Sequence, residues 1–244
     1  MTRCLLAYIL PLVLLLMPHH AQAQEASLRQ SLAVGYWPAS VSFNGPGGTI
    51  TWTATFVTLD YWAQSEQSPY GIRLQYGIGT ESAWSSPMAS GTDTMWGIDI
   101  TFGKSFGADE PAATVLGSIG YGSLKWDNTD TGGLQLVQTT TAYRVGAHLT
   151  VTPQSNWSFN AGATWYPSAK TTVASPALAS TDSAVGSALE YSVTLRYGGQ
   201  MWFVELGYRG ASVSYGTLSG GVLAGGCPCS TGWTGFLINL GSSF

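Results

Sequence analysis

Between residues 70 and 79 the chain reads YGIRLQYGIG, and large apolar side chains fall on every second position. Tyr70, Ile72, Leu74, Tyr76 and Ile78 share one parity, while Gly71, Arg73, Gln75, Gly77 and Gly79 share the other. A period of two belongs to a β-strand, whose successive side chains point to opposite faces. The pattern recurs. Trp96, Ile98, Ile100 and Phe102 alternate with Gly97, Asp99, Thr101 and Gly103, and Leu189, Tyr191, Val193, Leu195 and Tyr197 alternate with Ala188, Glu190, Ser192, Thr194 and Arg196. Divided at clusters of Gly, Asn, Asp, Pro and Ser, the sequence predicts about ten strands. They fall near residues 30–43, 49–63, 70–80, 95–107, 112–126, 135–151, 156–169, 183–198, 201–215 and 230–244.

The predicted connections alternate in length. TESAWSSPMASGTDT, DNTDTGGLQ, TTVASPALASTD and GTLSGGVLAGGCPCS are long, whereas GADEP, TPQSN and GGQ are short. Long loops on one rim and short turns on the other describe a closed antiparallel barrel with long outer loops and short periplasmic turns. The first two connections, NGPGG and QSEQSP, break the alternation, so an eight-stranded barrel with an irregular N-terminal segment is the alternative.

Composition then decides which solvent the apolar parity meets. Only 9% of the residues are charged, against about 25% in an ordinary soluble domain, while 12% are aromatic and there are 10 Trp and 31 Gly. The polar parity is mostly Gly, Ser, Thr and Ala, unlike the charged outer face of a soluble sandwich. That combination suits apolar side chains facing lipid and small polar ones facing a narrow lumen. The formal charge of −4 gives no reason to expect nucleic acid.

At the start of the chain, Arg3 precedes an apolar run from Leu5 to Met17 that ends near Ala21-Gln22-Ala23. Such a stretch is a secretory signal peptide, which predicts cleavage after Ala23 and a single barrel domain over residues 24–244. At the other end, TGWTGFLINLGSSF places Phe236, Ile238, Leu240 and the terminal Phe244 on one parity. This ending resembles the C-terminal insertion signal of small bacterial outer-membrane barrels, the OmpA-like, OmpX-like and ten-stranded adhesin-like proteins. The resemblance implies the cell outer membrane as location. It also implies outer-membrane lipid and the barrel-assembly machinery as partners, with a possible extracellular ligand of unspecified kind.

With the apolar parity outward, Arg73, Asp99, Arg144, His148, Glu190, Arg196, Glu205 and Arg209 turn inward. Isolated ions in a narrow lumen are costly, so these side chains are expected to pair across the barrel and plug it. The competing reading lines a small aqueous channel with them, the four arginines favouring anions. Trp52, Trp96, Trp126 and Trp165 are expected at the outer membrane interface, and Tyr61, Trp62, Tyr70, Phe106, Trp157, Trp202 and Phe244 at the periplasmic one.

Chemistry-bearing motifs are sparse. His148 is the only histidine after the leader, and no HExxH, P-loop or GxSxG turn occurs. Glu190 and Glu205 could form a carboxylate pair for acid–base work, but neighbouring arginines point to ion pairing. No catalytic, cofactor or metal site is expected. Cys227 and Cys229 are candidates for a disulfide in an oxidising compartment. The functional expectation is a non-enzymatic barrel with a structural or surface-interaction role. The alternatives are a narrow, weakly anion-favouring channel and, further off, a membrane-embedded enzyme acting on lipid.

Overall fold

The computed structural model describes residues 28–45, 48–65, 68–82, 88–107, 112–130, 135–154, 156–178, 180–199, 201–217 and 228–244. The leader read at residues 1–23 and Cys227 lie outside them. Ten strands follow one another: β1 (Leu28–Gly45), β2 (Gly48–Ser65), β3 (Tyr70–Ser82), β4 (Met88–Phe106), β5 (Ala112–Asp130), β6 (Gln135–Gln154), β7 (Trp157–Ser175), β8 (Ser180–Gly198), β9 (Phe203–Thr217) and β10 (Pro228–Ser243). Each pairs antiparallel with its sequence neighbours, and β1 pairs with β10 to close the barrel. Closure leaves no sheet edge, as a strand protein needs in lipid, where water cannot satisfy free backbone groups.

The first hairpin is regular, paired from Leu28↔Ser65 to Gly45↔Gly48. Gly48 sits there at φ 107°, a conformation that glycine adopts without steric cost. The N-terminal segment is therefore two full strands, and the count is ten. β1 begins and β10 ends at one rim, where Gln30 and Phe244 exchange backbone hydrogen bonds. We call this the terminal rim and the opposite one the far rim.

Outward-facing side chains divide at mid-height. Near the terminal rim they are large and exposed: Tyr70, Ile72, Leu74 and Tyr76 on β3, Ile98, Ile100 and Phe102 on β4, Val193, Leu195 and Tyr197 on β8, and Ile238 and Leu240 on β10. Aromatic rings edge this belt on its far side, with Trp96 packed on Tyr121 at 5.8 Å and Tyr121 on Tyr143 at 5.5 Å. A continuous apolar belt bordered by aromatic rings is the lipid-facing surface of a transmembrane barrel. Above it the exposed outward positions become Thr51, Thr53, Thr92, Thr181, Ser183 and Ser212.

The strands are 13 to 20 residues long, whereas about 9–11 tilted residues cross a bilayer. They run further toward the far rim than the apolar alternation marks. β4 already begins at Met88 and β7 continues to Ser175. Thr and Ser sustain strand pairing without a greasy face, so the ladder outlives the hydrophobic signal.

Candidate functional site

Inside the barrel, the terminal half is charged and hollow. Arg144 of β6 reaches across to Asp99 of β4 with two parallel bonds, Nε to Oδ1 and Nη2 to Oδ2, each 2.6 Å. Gly97 makes room for this pair, since a Cβ there would overlap the guanidinium. Arg144 also donates to the Tyr166 hydroxyl at 3.2 Å, and Tyr166 donates to Glu190 Oε1. Arg209 closes the chain of contacts on Glu190 Oε2 at 3.3 Å and lies over the Trp37 ring, 5.1 Å from its centroid. β7 carries a register irregularity between Tyr166 and Ala169, at Pro167. A proline cannot donate to the ladder, and the break lies beside the residue that links the two acid–base pairs.

Below this seam, Arg73 grips Asp60 through Nε at 3.1 Å and Nη2 at 2.6 Å, and Gln75 donates to the same carboxylate at 3.3 Å. Arg73 lies over Trp62, and its Nη1 is 3.4 Å from His148 Nε2. An arginine can only donate, so Nε2 accepts and faces a cation instead of a nucleophile. Arg196 and Glu205 are directly opposed in register yet turn apart. Arg196 donates to Ser243 Oγ at 2.6 Å and stacks over Phe203, while Glu205 accepts from Asn160 and Asn239 at 3.0 and 2.9 Å. These groups line a cavity of about 1160 Å³ that extends from Glu190 and Arg209 to Arg29, Met201 and Phe244 at the terminal rim.

Of the eight inward ions picked from the sequence, the structure thus joins Asp99 with Arg144 and Glu190 with Arg209, and sets His148 beside Arg73. Asp60 and Tyr166, which complete the contacts, were not among them. Strict parity through Leu59, Asp60 and Tyr61 carried the signal for the first. For Tyr166, inward parity was legible from Trp165, but its cross-barrel reach was not.

The far half of the lumen is packed with apolar side chains. Trp37, Val41 and Val213 are 0% exposed and Phe56 is 1% exposed. Trp37 stacks on Phe56 at 4.9 Å, and Trp52 on Trp126 at 5.5 Å. Met95, Leu124, Tyr215 and Trp233 complete the same cluster. Trp52 and Trp126 therefore do not belong to the outer membrane interface, and Trp62 is not at the other one. All three point inward, where their parity puts them. Cys229 is buried in this half and disulfide-bonded, while the described residues include no second cysteine.

Several acids that read as loop residues are also inside this half. Asp93 and Asp182 are buried, and Glu81 is half-buried on β3. Trp126 donates to Glu81 Oε1 at 2.8 Å, and Trp233 donates to Asp93 Oδ2 at 3.4 Å. Burial pushes both carboxyls above their ordinary range, Asp93 the further of the two because the Glu81 charge adds to it.

No protein-family model matches this chain, and no curated protein matches it in sequence. Solved structures do. The outer membrane protease OmpT from Escherichia coli superposes with a TM-score of 0.61 at 7% identity, over 91% of this chain and 99% of that one. The translocator domain of the autotransporter NalP from Neisseria meningitidis gives 0.48 at 15% identity, over 100% and 96%. Ail, the attachment invasion locus protein of Yersinia pestis, gives 0.38 at 13% identity, over 91% and 100%. At such identities the likeness to OmpT is one of fold, and the two lower scores add nothing to it.

Proposed function

We propose that this chain is a non-conducting, non-enzymatic barrel of the bacterial outer membrane, with its terminal rim toward the periplasm and a structural or surface-interaction role performed by the wall beyond the belt. The observation that carries the reading is the packed far half of the lumen, where Trp37, Phe56, Val41 and Val213 leave no exposed surface to speak of. Native packing leaves few voids larger than a water molecule, so ions have no path through it.

The strand length supports the second half of the proposal. From about three residues on β3 to about ten on β6 lie above the belt, and at a rise of about 3.3 Å and a tilt near 45° the longer strands lift the rim roughly 20 Å above the lipid. This collar carries mostly Thr and Ser outward, with Lys125, Asp127 and Lys170 among them, a hydrogen-bonding surface for partners in the medium.

Planar-bilayer recording on the purified protein tests the proposal. The expected trace shows no steady openings at any ordinary voltage. Stable, anion-selective steps would instead favour the channel reading, for which the arginine-lined cavity of 1160 Å³ is the supporting feature.

A further inference from the structure

The far half of the lumen holds two carboxyl groups that face each other with no basic side chain paired to either. Glu81 and Asp93 occupy inward positions on adjacent strands, their registers being Glu81↔Gly91 and Gly79↔Asp93. An indole N–H binds one oxygen of each, from Trp126 and Trp233 respectively. Glu81 Oε2 and Asp93 Oδ1 remain buried without a hydrogen-bond partner. One strand further round, Asn128 is opposite Gly91 and only 1% exposed, and neither its amide oxygen nor its amide nitrogen has a partner. Asn128 Oδ1 and Glu81 Oε2 both crowd the space that Gly91 leaves by lacking a Cβ. Two buried oxygens thus face one another across a glycine, and the Asp93 carboxyl interacts with Glu81 beside them.

A buried unpaired carboxylate costs far more than a paired one, so two of them side by side call for a cation. The chain does not supply it. Every Lys and Arg from Arg29 onward is described, and the ion pairs among the described residues leave out both Glu81 and Asp93. Lys125 comes near Asp93, as both line a gap of about 10 Å³, but its ammonium pairs with Asp127 at 3.4 Å.

We propose that Glu81, Asp93 and Asn128 bind a hard divalent cation of the Ca²⁺ type, taken up from the medium beyond the far rim. Two carboxylates balance its charge, and the amide supplies a neutral third oxygen of the kind Ca²⁺ accepts. Water completes its coordination from the half-buried Glu81 side. Glu81, Asp93 and Asn128 bring neither sulfur nor imidazole, so the site offers oxygen alone and gives no foothold to softer metals. It has two acidic ligands, and no three His, Cys, Asp or Glu side chains gather among the described residues. Flexible oxygen ligands also suit Ca²⁺ better than Mg²⁺, which demands a near-ideal octahedron. Bound there, the ion ties β3, β4 and β5 together inside the packed half.

Terbium tests this, because Tb³⁺ takes the place of Ca²⁺ and the neighbouring indoles of Trp52 and Trp126 can sensitise its emission. Purified barrel, stripped with chelator and excited in the indole band, should light bound Tb³⁺. Ca²⁺ should displace it at lower concentration than Mg²⁺, and should raise the midpoint of urea unfolding. The near-isosteric Glu81→Gln and Asp93→Asn should each abolish the displaceable emission and the midpoint shift, with Asn128→Ala as a third variant should either fail to close. Closure is read from the heat-dependent gel shift of folded barrels. Asp127→Asn should retain both responses. Emission that survives Glu81→Gln and Asp93→Asn would overturn the site, and so would a wild-type barrel indifferent to Ca²⁺.

Discussion

The two halves of this lumen solve the same problem, filling a ten-stranded barrel, in opposite ways. Toward the terminal rim the inward positions hold Arg73, Asp60, Arg196 and Glu205 around a cavity of about 1160 Å³. Toward the far rim they hold Trp37, Phe56, Trp52 and Trp126 in stacked contact. The outward face is reversed, greasy beside the wet half and polar beside the dry half. The barrel wall therefore separates lipid from a polar interior at one level, and water from an apolar core at the other. Above the membrane it is built like a soluble protein, with its hydrophobic side chains inside, where they stabilise by about 1.5–3 kcal/mol each. The seam from Asp99 through Arg144, Tyr166, Glu190 and Arg209 lies where the two arrangements meet.

The strongest attack on the dry half is Trp37→Ala, which removes a fully buried ring in contact with Phe56 and Arg209. We expect a loss of about 3–5 kcal/mol in urea unfolding, together with a new ion leak. A tight, undiminished barrel would mean that the aromatic stack does not close the lumen. At the seam, Asp99→Ala leaves the Arg144 guanidinium buried and unpaired, and should also cost about 3–5 kcal/mol. Double substitution to Asp99→Ala with Arg144→Met should recover part of that loss. If it recovers none, the ion pair is not what Arg144 contributes.

Lipid exposure gives a smaller contrast. Leu74→Arg sets a charge against the bilayer and should cost about 2–4 kcal/mol, whereas Gln75→Arg, facing the cavity, should fold nearly as well as the parent. Equal penalties would reverse the assignment of faces. Smallest of all, Asp60→Asn breaks the ion pair with Arg73 beside open water, and solvent screening should hold its cost to about 1 kcal/mol. A cost equal to that of Asp99→Ala would show that the terminal cavity is as dry as the far half.

Most of the wall was legible in the sequence, because period-two alternation forces a face on every residue once one face meets lipid. Each of the eight ions assigned inward by parity projects into the lumen, as Arg73, Arg144 and Glu205 illustrate. The filling was less legible. Parity tells that Trp52 and Trp126 point inward, but their place among aromatic residues near a strand end suggested a membrane interface. Glu81, Asp93 and Asp182 were read as loop acids, since the strand continues where its apolar parity has stopped and only Thr, Ser and Gly mark it. Pairing across the barrel was hidden for a different reason: Arg144 and Asp99 are far apart in sequence and on non-adjacent strands, and no local pattern records which side chains meet across a lumen.

Labelling of Ser192→Cys tests the central claim most directly. Ser192 lines the terminal cavity, and a membrane-impermeant maleimide can be applied to either side of barrels reconstituted in one orientation. The account predicts rapid labelling from the terminal side and none from the far side. Comparable labelling from both sides would contradict it, because the far half would then be an open passage.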